Sequence, residues 1–200
     1  MNHLRFVDTS PDKQLEALEA ILRADPLVWQ ALQIAREMAL PDWLIVSGAI
    51  YNSVWNHLTG REPGYGIKDI DLFYFDDRDL SYEAEDAVIR RGDVAFGGHP
   101  LPVEIRNQAR VHLWYRQKFG RDCPVYRNSR EPLKRFASKT HAVGVRLLSD
   151  DRLLIEAPFG LADIFAFRVT PNHAMVNRET HEEKGARAKR NWPEVEIVAW

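Results

Sequence analysis

The run Gly66-Ile-Lys-Asp-Ile-Asp-Leu-Phe-Tyr-Phe75 decides how the rest of the chain is read. It has the composition of a buried strand, yet two carboxylates interrupt it, Asp69 and Asp71. Residues two apart leave a strand on the same face, so both acids point one way, with Cα atoms roughly 6–7 Å apart. Ile70, Leu72 and Tyr74 then point the other way, towards packing. Paired acids on an apolar strand are costly to desolvate unless a cation neutralises them. Two readings stay open from these residues alone: a wet strand end, and a site for a hard divalent cation, which takes one or two carboxylates plus water and phosphate oxygens.

Working outward, Trp43-Leu-Ile-Val46 reads as a short apolar strand that runs into Ser47-Gly48-Ala49 and a helix. Ile50, Val54 and Leu58 face inward on that helix, and Gly60 ends it. A strand that turns into a helix at glycine leaves unpaired amides at the positive end of the helix dipole. That is either an ordinary tight turn or a phosphate site. On the other side, an acidic helix is expected over Ser81–Arg91, closed by Gly92. Leu101–Arg106 follows as a strand carrying Glu104 and Arg106 on one face, Val103 and Ile105 on the other. An aromatic helix then covers Gln108–Phe119, its rings expected in the core.

Ser10-Pro11 and Asp25-Pro26 each read as a helix start. They predict a helical pair, with Leu15, Leu18, Ile21 and Leu22 on the buried side of the first helix and Val28, Leu32, Ala35 and Ala39 on that of the second. Residues 142–148 and 152–156 predict a hairpin, Pro158–Arg168 a short helix, and Val176–Arg190 a last helix before an extended tail. Without strict strand–helix alternation, the expectation is an α+β fold, a mixed sheet flanked by helices. One domain is expected over residues 1–200, with the helical pair in 1–40, a core in 41–120 and the hairpin and helices in 121–200.

A chain of 200 residues with a net charge of −2 has no global pull towards long nucleic acid or anionic membrane. No apolar run reaches a membrane span, and no signal peptide is read at the N-terminus. Cys123 is the only cysteine, so an internal disulfide is excluded and a cytoplasmic location is expected. Asp122 beside it argues against a reactive thiol.

In order, the strand–Ser47-Gly48–helix turn, the Asp69/Asp71 strand and the Glu104 strand resemble the DNA polymerase beta-like nucleotidyltransferase superfamily. More narrowly, Ser47–Trp55, Val103–Asn107, Ala142–Arg146 and Ala157–Asp163 are similar to a largely uncharacterised bacterial branch of it. The resemblance spans roughly residues 40–195. It implies that Asp69, Asp71 and Glu104 are catalytic and hold divalent metal, Mg²⁺ with Mn²⁺ as its substitute. It implies too that Ser47 and Gly48 hold the phosphates of an NTP. The implied reaction moves a nucleotidyl group to an unidentified hydroxyl acceptor, a small molecule, protein side chain or RNA end, with release of pyrophosphate. Beside a gap from Gly48 to Asp69 longer than usual, made by the Arg61–Gly66 loop, the departure is Ala49, where the pattern has glycine or serine. It keeps a non-catalytic nucleotide-binding protein in view, beside a metal-dependent phosphodiesterase that uses water.

Four further residues complete the reading. Asn52, one turn beyond Gly48, faces either phosphate or solvent, and Arg106 either pairs with Glu104 or binds phosphate. Lys184 and Arg187 share one side of the last helix, which is either a solvated charged face or a rim attracting an anion.

Overall fold

A computed structural model describes residues 2–200; Met1 lies outside the described residues. The predicted helical pair forms as α1 (Pro11–Ala24) and α2 (Pro26–Glu37). Ser10 caps α1 by accepting the Lys13 amide, and proline begins each helix. Asp25 serves both elements. It is the C-cap of α1, and its carboxylate accepts the amides of Leu27 at 3.0 Å and Val28 at 3.1 Å. A cap of this kind contributes about 1 kcal/mol. Two expectations fail at the edges: Leu15 is exposed, with Gln14 and Ala17 taking the buried positions, and Ala39 lies beyond α2 in a left-handed conformation.

The central sheet has the order β3-β2-β1-β4-β5. Its strands are β1 (Leu44–Val46), β2 (Ile70–Tyr74), β3 (Val103–Asn107), β4 (Gly144–Leu147) and β5 (Leu153–Glu156). The β2–β3 pair is parallel and the other three pairs are antiparallel, so the sheet is mixed. This is the α+β architecture expected. Alternation divides the sheet cleanly. Ile45, Ile70, Leu72, Tyr74, Ile105 and Val145 enter the main core, under α1, α2 and α3 (Gly48–Thr59). Leu44, Val46 and Phe73 face the other way, where they meet Leu133, Phe136 and Ala142.

The helix after β2, α4 (Tyr82–Ala95), does not stop at Gly92 as predicted. A Cβ placed there would come 2.1 Å from Ile105 Cδ1, so the glycine lets α4 lie close against β3. Gly66, before β2, has both properties of the residue: its φ is +68°, and a Cβ would stand 2.5 Å from Trp192 Cη2. After β3, a 3₁₀ turn at Gln108–Arg110 leads into α5 (Val111–Phe119). A second 3₁₀ turn covers Glu131–Arg135 and a third Lys139–His141. Beyond the hairpin come α6 (Ala162–Phe165), β6 (Arg168–Val169), α7 (Arg178–Asn191) and β7 (Glu196–Ile197), which pairs in parallel with β6.

Trp55 on α3 and Trp192 after α7 meet edge to face at 5.3 Å and tie the C-terminal segment to the core. Each buried indole N–H finds an acceptor, Ile164 O at 2.8 Å and Asn56 Oδ1 at 3.0 Å. Burying such rings with their polar tips satisfied stabilises the fold without leaving an orphan donor. Among the described residues no helix is long and apolar enough to cross a membrane.

Candidate active site

The sheet face that carries Val46 and Phe73 also brings the predicted carboxylates together through strand register. Asp71 is the Cα partner of Glu104 on β3 and of Val46 on β1. Asp69 stands just before β2, two residues from Asp71 and on the same side. The three acids differ in their surroundings. Asp69 is paired with Lys68 at 3.1 Å, and Glu104 with Arg106 at 2.7 Å. Asp71 has no ion pair among the described residues, and burial, reinforced by the Asp69 charge, pushes its carboxyl up to about 6.

β1 ends beside this pair, which sets Ser47 and the start of α3 at the same edge. Ser47 donates its amide to Val143 O at 2.8 Å. It holds φ 59° and ψ −117°, a conformation costly for any residue with a side chain. Its hydroxyl makes no cap bond to α3, so it stays available. The first amides of a helix have no intrahelical partners. Asn52, one turn further, is buried with its Oδ1 unpartnered. Ala49 is buried in the main core, so a hydroxyl at that position would face packing rather than the site.

The opposite wall was only half legible in the sequence. Lys184 on α7 is half-buried, and its charge favours ionised Asp71, while burial pulls its own pKa down. Arg187, one turn later, acts on Tyr51 of α3, whose hydroxyl burial raises to about 12. Tyr51 stacks on His141 with ring centroids 4.8 Å apart. His141 is buried with both ring nitrogens unpartnered, and its pKa lies well below the usual histidine value, first because of burial and then because of Lys184. Lys184 and Arg187 thus sit part-buried on the side of α7 turned towards Asp71 and Tyr51. Tyr51 and His141 carried no signal in the sequence: one reads as helix core and the other as a lone loop histidine.

The donor chemistry of Asp69 and Asp71 fits a hard cation. Both offer oxygen, and the burial and Asp69 charge that raise the Asp71 pKa are what a bound cation offsets. Among the described residues no group of three or more His, Cys, Asp or Glu is arranged to hold a metal. A site built on two carboxylates, completed by water and substrate phosphate, has no need of one. Elsewhere, burial raises the Cys123 pKa, which agrees with an inert thiol.

One pleat along from Asp71 and Glu104, the partners Phe73 and Arg106 open into a cleft of about 260 Å³. Trp114, Tyr115 and Phe119 of α5 line it instead of entering the core as predicted, and Lys184 lines it as well. A larger cavity of about 400 Å³ adjoins it at Tyr126 and Arg135 and contains none of the site carboxylates.

A solved protein whose NMR structure "reveals a CCA-adding enzyme head domain" is similar to this chain in fold and sequence. The two are 26% identical with a TM-score of 0.74, over 97% of this chain and 100% of the other. No curated protein matches. The family described as Nucleotidyltransferase matches residues 33–197, most of the chain, and the protein belongs to that family.

Proposed function

We propose that the protein transfers a nucleotidyl group from an NTP to an acceptor hydroxyl and releases pyrophosphate. The observation that carries this reading is the register that sets Asp71 beside Glu104 and against Val46, where β1 turns into α3, with no ion pair to Asp71 among the described residues. Asp69 and Asp71 would hold Mg²⁺ or Mn²⁺, with Glu104 beside them on the neighbouring strand. A bound divalent cation supplies positive charge to the phosphates and to the departing pyrophosphate. The chain's own groups do the rest. The amides of Gly48 and Ala49, the Ser47 hydroxyl and the Asn52 side chain bind the triphosphate at the helix N-terminus. Lys184 and Arg187 face it from α7 and oppose its charge. The acceptor oxygen attacks the α-phosphorus as the bond to the β-phosphate oxygen breaks. Its proton leaves to a carboxylate, for which Glu104 is the nearest candidate on the acceptor side.

The main apolar core draws on residues from α1 through to Val195, which supports reading the chain as one folding unit. The test is calorimetric titration with each of the four NTPs, with and without Mg²⁺, beside the Asp69→Asn/Asp71→Asn variant, while pyrophosphate is measured. Metal-dependent binding that the variant loses, with pyrophosphate released once an acceptor is present, is the expected result. Binding with no pyrophosphate from any acceptor pool would indicate a non-catalytic nucleotide-binding protein. Nucleoside monophosphate formed without acceptor would indicate a phosphodiesterase.

A further inference from the structure

The aromatic cleft has a chemistry of its own. Phe73 and Phe136 enter it from β2 and from the residue after the Glu131–Arg135 turn, and Trp114 and Tyr115 from α5. Flat apolar walls of this kind suit a planar ring. The charges in the lining are all of one sign. Arg106, Arg121, Arg135 and Lys184 border the cleft, and no carboxylate does. Arg106 is held by Glu104, whereas Arg121, Arg135 and Lys184 form no ion pair among the described residues. Guanidinium groups left unpaired beside aromatic faces suit a ring that carries an anion, phosphate above all. The lining also holds one unsatisfied acceptor: Asn177 Oδ1 is buried without a partner, although its Nδ2 donates to Arg135 O at 3.4 Å. An N–H on the edge of a heterocycle would satisfy it.

Position gives the cleft its role. β1 ends next to Asp71, so the start of α3 lies on one side of the carboxylates, and Phe73 and Arg106 lie on the other. The leaving pyrophosphate and the attacking hydroxyl occupy opposite sides of the α-phosphorus. We propose that this cleft is the acceptor site, and that the acceptor is nucleotide-like, a planar heterocycle bearing a phosphate and a free hydroxyl. This rests on the nucleotidyl-transfer reading above. The acceptor's hydroxyl oxygen makes the new bond to phosphorus, pyrophosphate leaves, and the hydroxyl proton goes to a carboxylate.

The experiment is calorimetric titration of AMP and UMP into the full chain with Mg²⁺, alone and with the donor site saturated. Saturation uses the non-hydrolysable α,β-methylene analogue of whichever NTP binds best. The expected result is that a monophosphate binds beside the analogue. Adenosine, which lacks the charge, and inorganic phosphate, which lacks the ring, should each bind at least about tenfold more weakly. Arg121→Gln and Arg135→Gln should weaken monophosphate binding about tenfold and leave the analogue's affinity unchanged. The acceptor assignment is overturned if the analogue abolishes monophosphate binding while the arginine variants weaken the analogue, because the cleft then holds the donor's own base. It is also overturned if neither monophosphate binds at millimolar concentration while the analogue does. Failure of the analogue alone, with monophosphate still bound in the cleft, would overturn the donor reading and leave the cleft's ligand chemistry standing.

Discussion

Glu85 and Asp71 are both acids withdrawn from solvent, and the protein treats them in opposite ways. Glu85, on α4, forms a buried ion pair with Arg110 and accepts the Asn107 amide at 2.8 Å. Arg110 in turn donates Nε to Leu80 O at 2.9 Å. Around Asp71 there is no such closure: its nearest influences are a second carboxylate and a lysine whose charge opposes only part of the burial cost. Two buried histidines repeat the contrast. His181 bonds Ser138 Oγ at 2.7 Å and Val198 O at 2.8 Å, while His141 bonds nothing through either nitrogen. Where polar groups complete one another, the fold is being held. Where several are left open together, at Asp71, Asn52 and His141, they mark the place where the proposed nucleotide would supply the partners.

The contrast breaks first at Arg110. Arg110→Met keeps the apolar stem and leaves the Glu85 carboxylate buried alone, so stability should fall by about 3–5 kcal/mol. Adding Glu85→Gln should recover at least half of that loss in urea denaturation, since an amide oxygen can still accept the Asn107 amide. An additive double variant would mean that the pair is not coupled. Asp71→Asn should do the reverse. Activity, followed as pyrophosphate release, should drop about 10²–10³-fold, or about 2.7–4 kcal/mol. Stability of the metal-free protein at neutral pH should rise.

That rise has a definite pH dependence. Asp71 has a folded pKa of about 6, above its ordinary value of 3.8, so between these pH values the folded state holds more proton than the unfolded one. Stability from this group is therefore present at low pH and lost as pH rises towards 6, by on the order of 2 kcal/mol. His141 acts in the opposite sense, since its folded pKa is depressed and stability falls as pH drops below 6.5. Subtracting the Asp71→Asn curve from that of the wild type isolates the aspartate. A flat difference between pH 4 and pH 6 would mean that Asp71 is already compensated.

What could be read from sequence follows the same line. The alternation in β2 and the Ser10 and Asp25 caps rest on local rules, so they were legible, whereas joining Glu104 to Asp71 across two strands took the family resemblance. The opposite wall was legible only at Lys184 and Arg187; Tyr51 and His141 were not, because they come to Lys184 only through packing of α3, a 3₁₀ turn and α7. Gly92 misled because ending a helix and admitting a close neighbour use the same missing Cβ. The aromatic spacing of α5 misled because a cleft wall and a core face have one periodicity.

The histidines give a smaller test of the comparison. His181→Phe leaves the Ser138 hydroxyl and Val198 carbonyl unpaired, and should cost about 1–3 kcal/mol. His141→Phe keeps a ring against Tyr51 and removes two unsatisfied nitrogens, so its stability should lie within about 1 kcal/mol of the wild type. Equal losses in chemical denaturation would remove the distinction between the two.

The smallest effect is expected at Ser47, and there the comparison can be made within one residue. Its backbone stands at φ 59° and ψ −117°, where glycine sits without strain. Ser47→Gly should therefore stabilise the fold by about 1 kcal/mol, seen as a higher Tm. It also deletes a hydroxyl that makes no cap bond, so NTP affinity should fall by about tenfold if that hydroxyl meets phosphate. Ser47→Ala separates the two contributions, since it keeps the strain and loses only the oxygen. Gain of stability in the glycine variant alone, with loss of affinity in both, would mean that the fold sustains a strained turn in order to present Ser47 to a ligand. Unchanged affinity in both would make the same conformation a property of the chain's connection from β1 to α3 and nothing more.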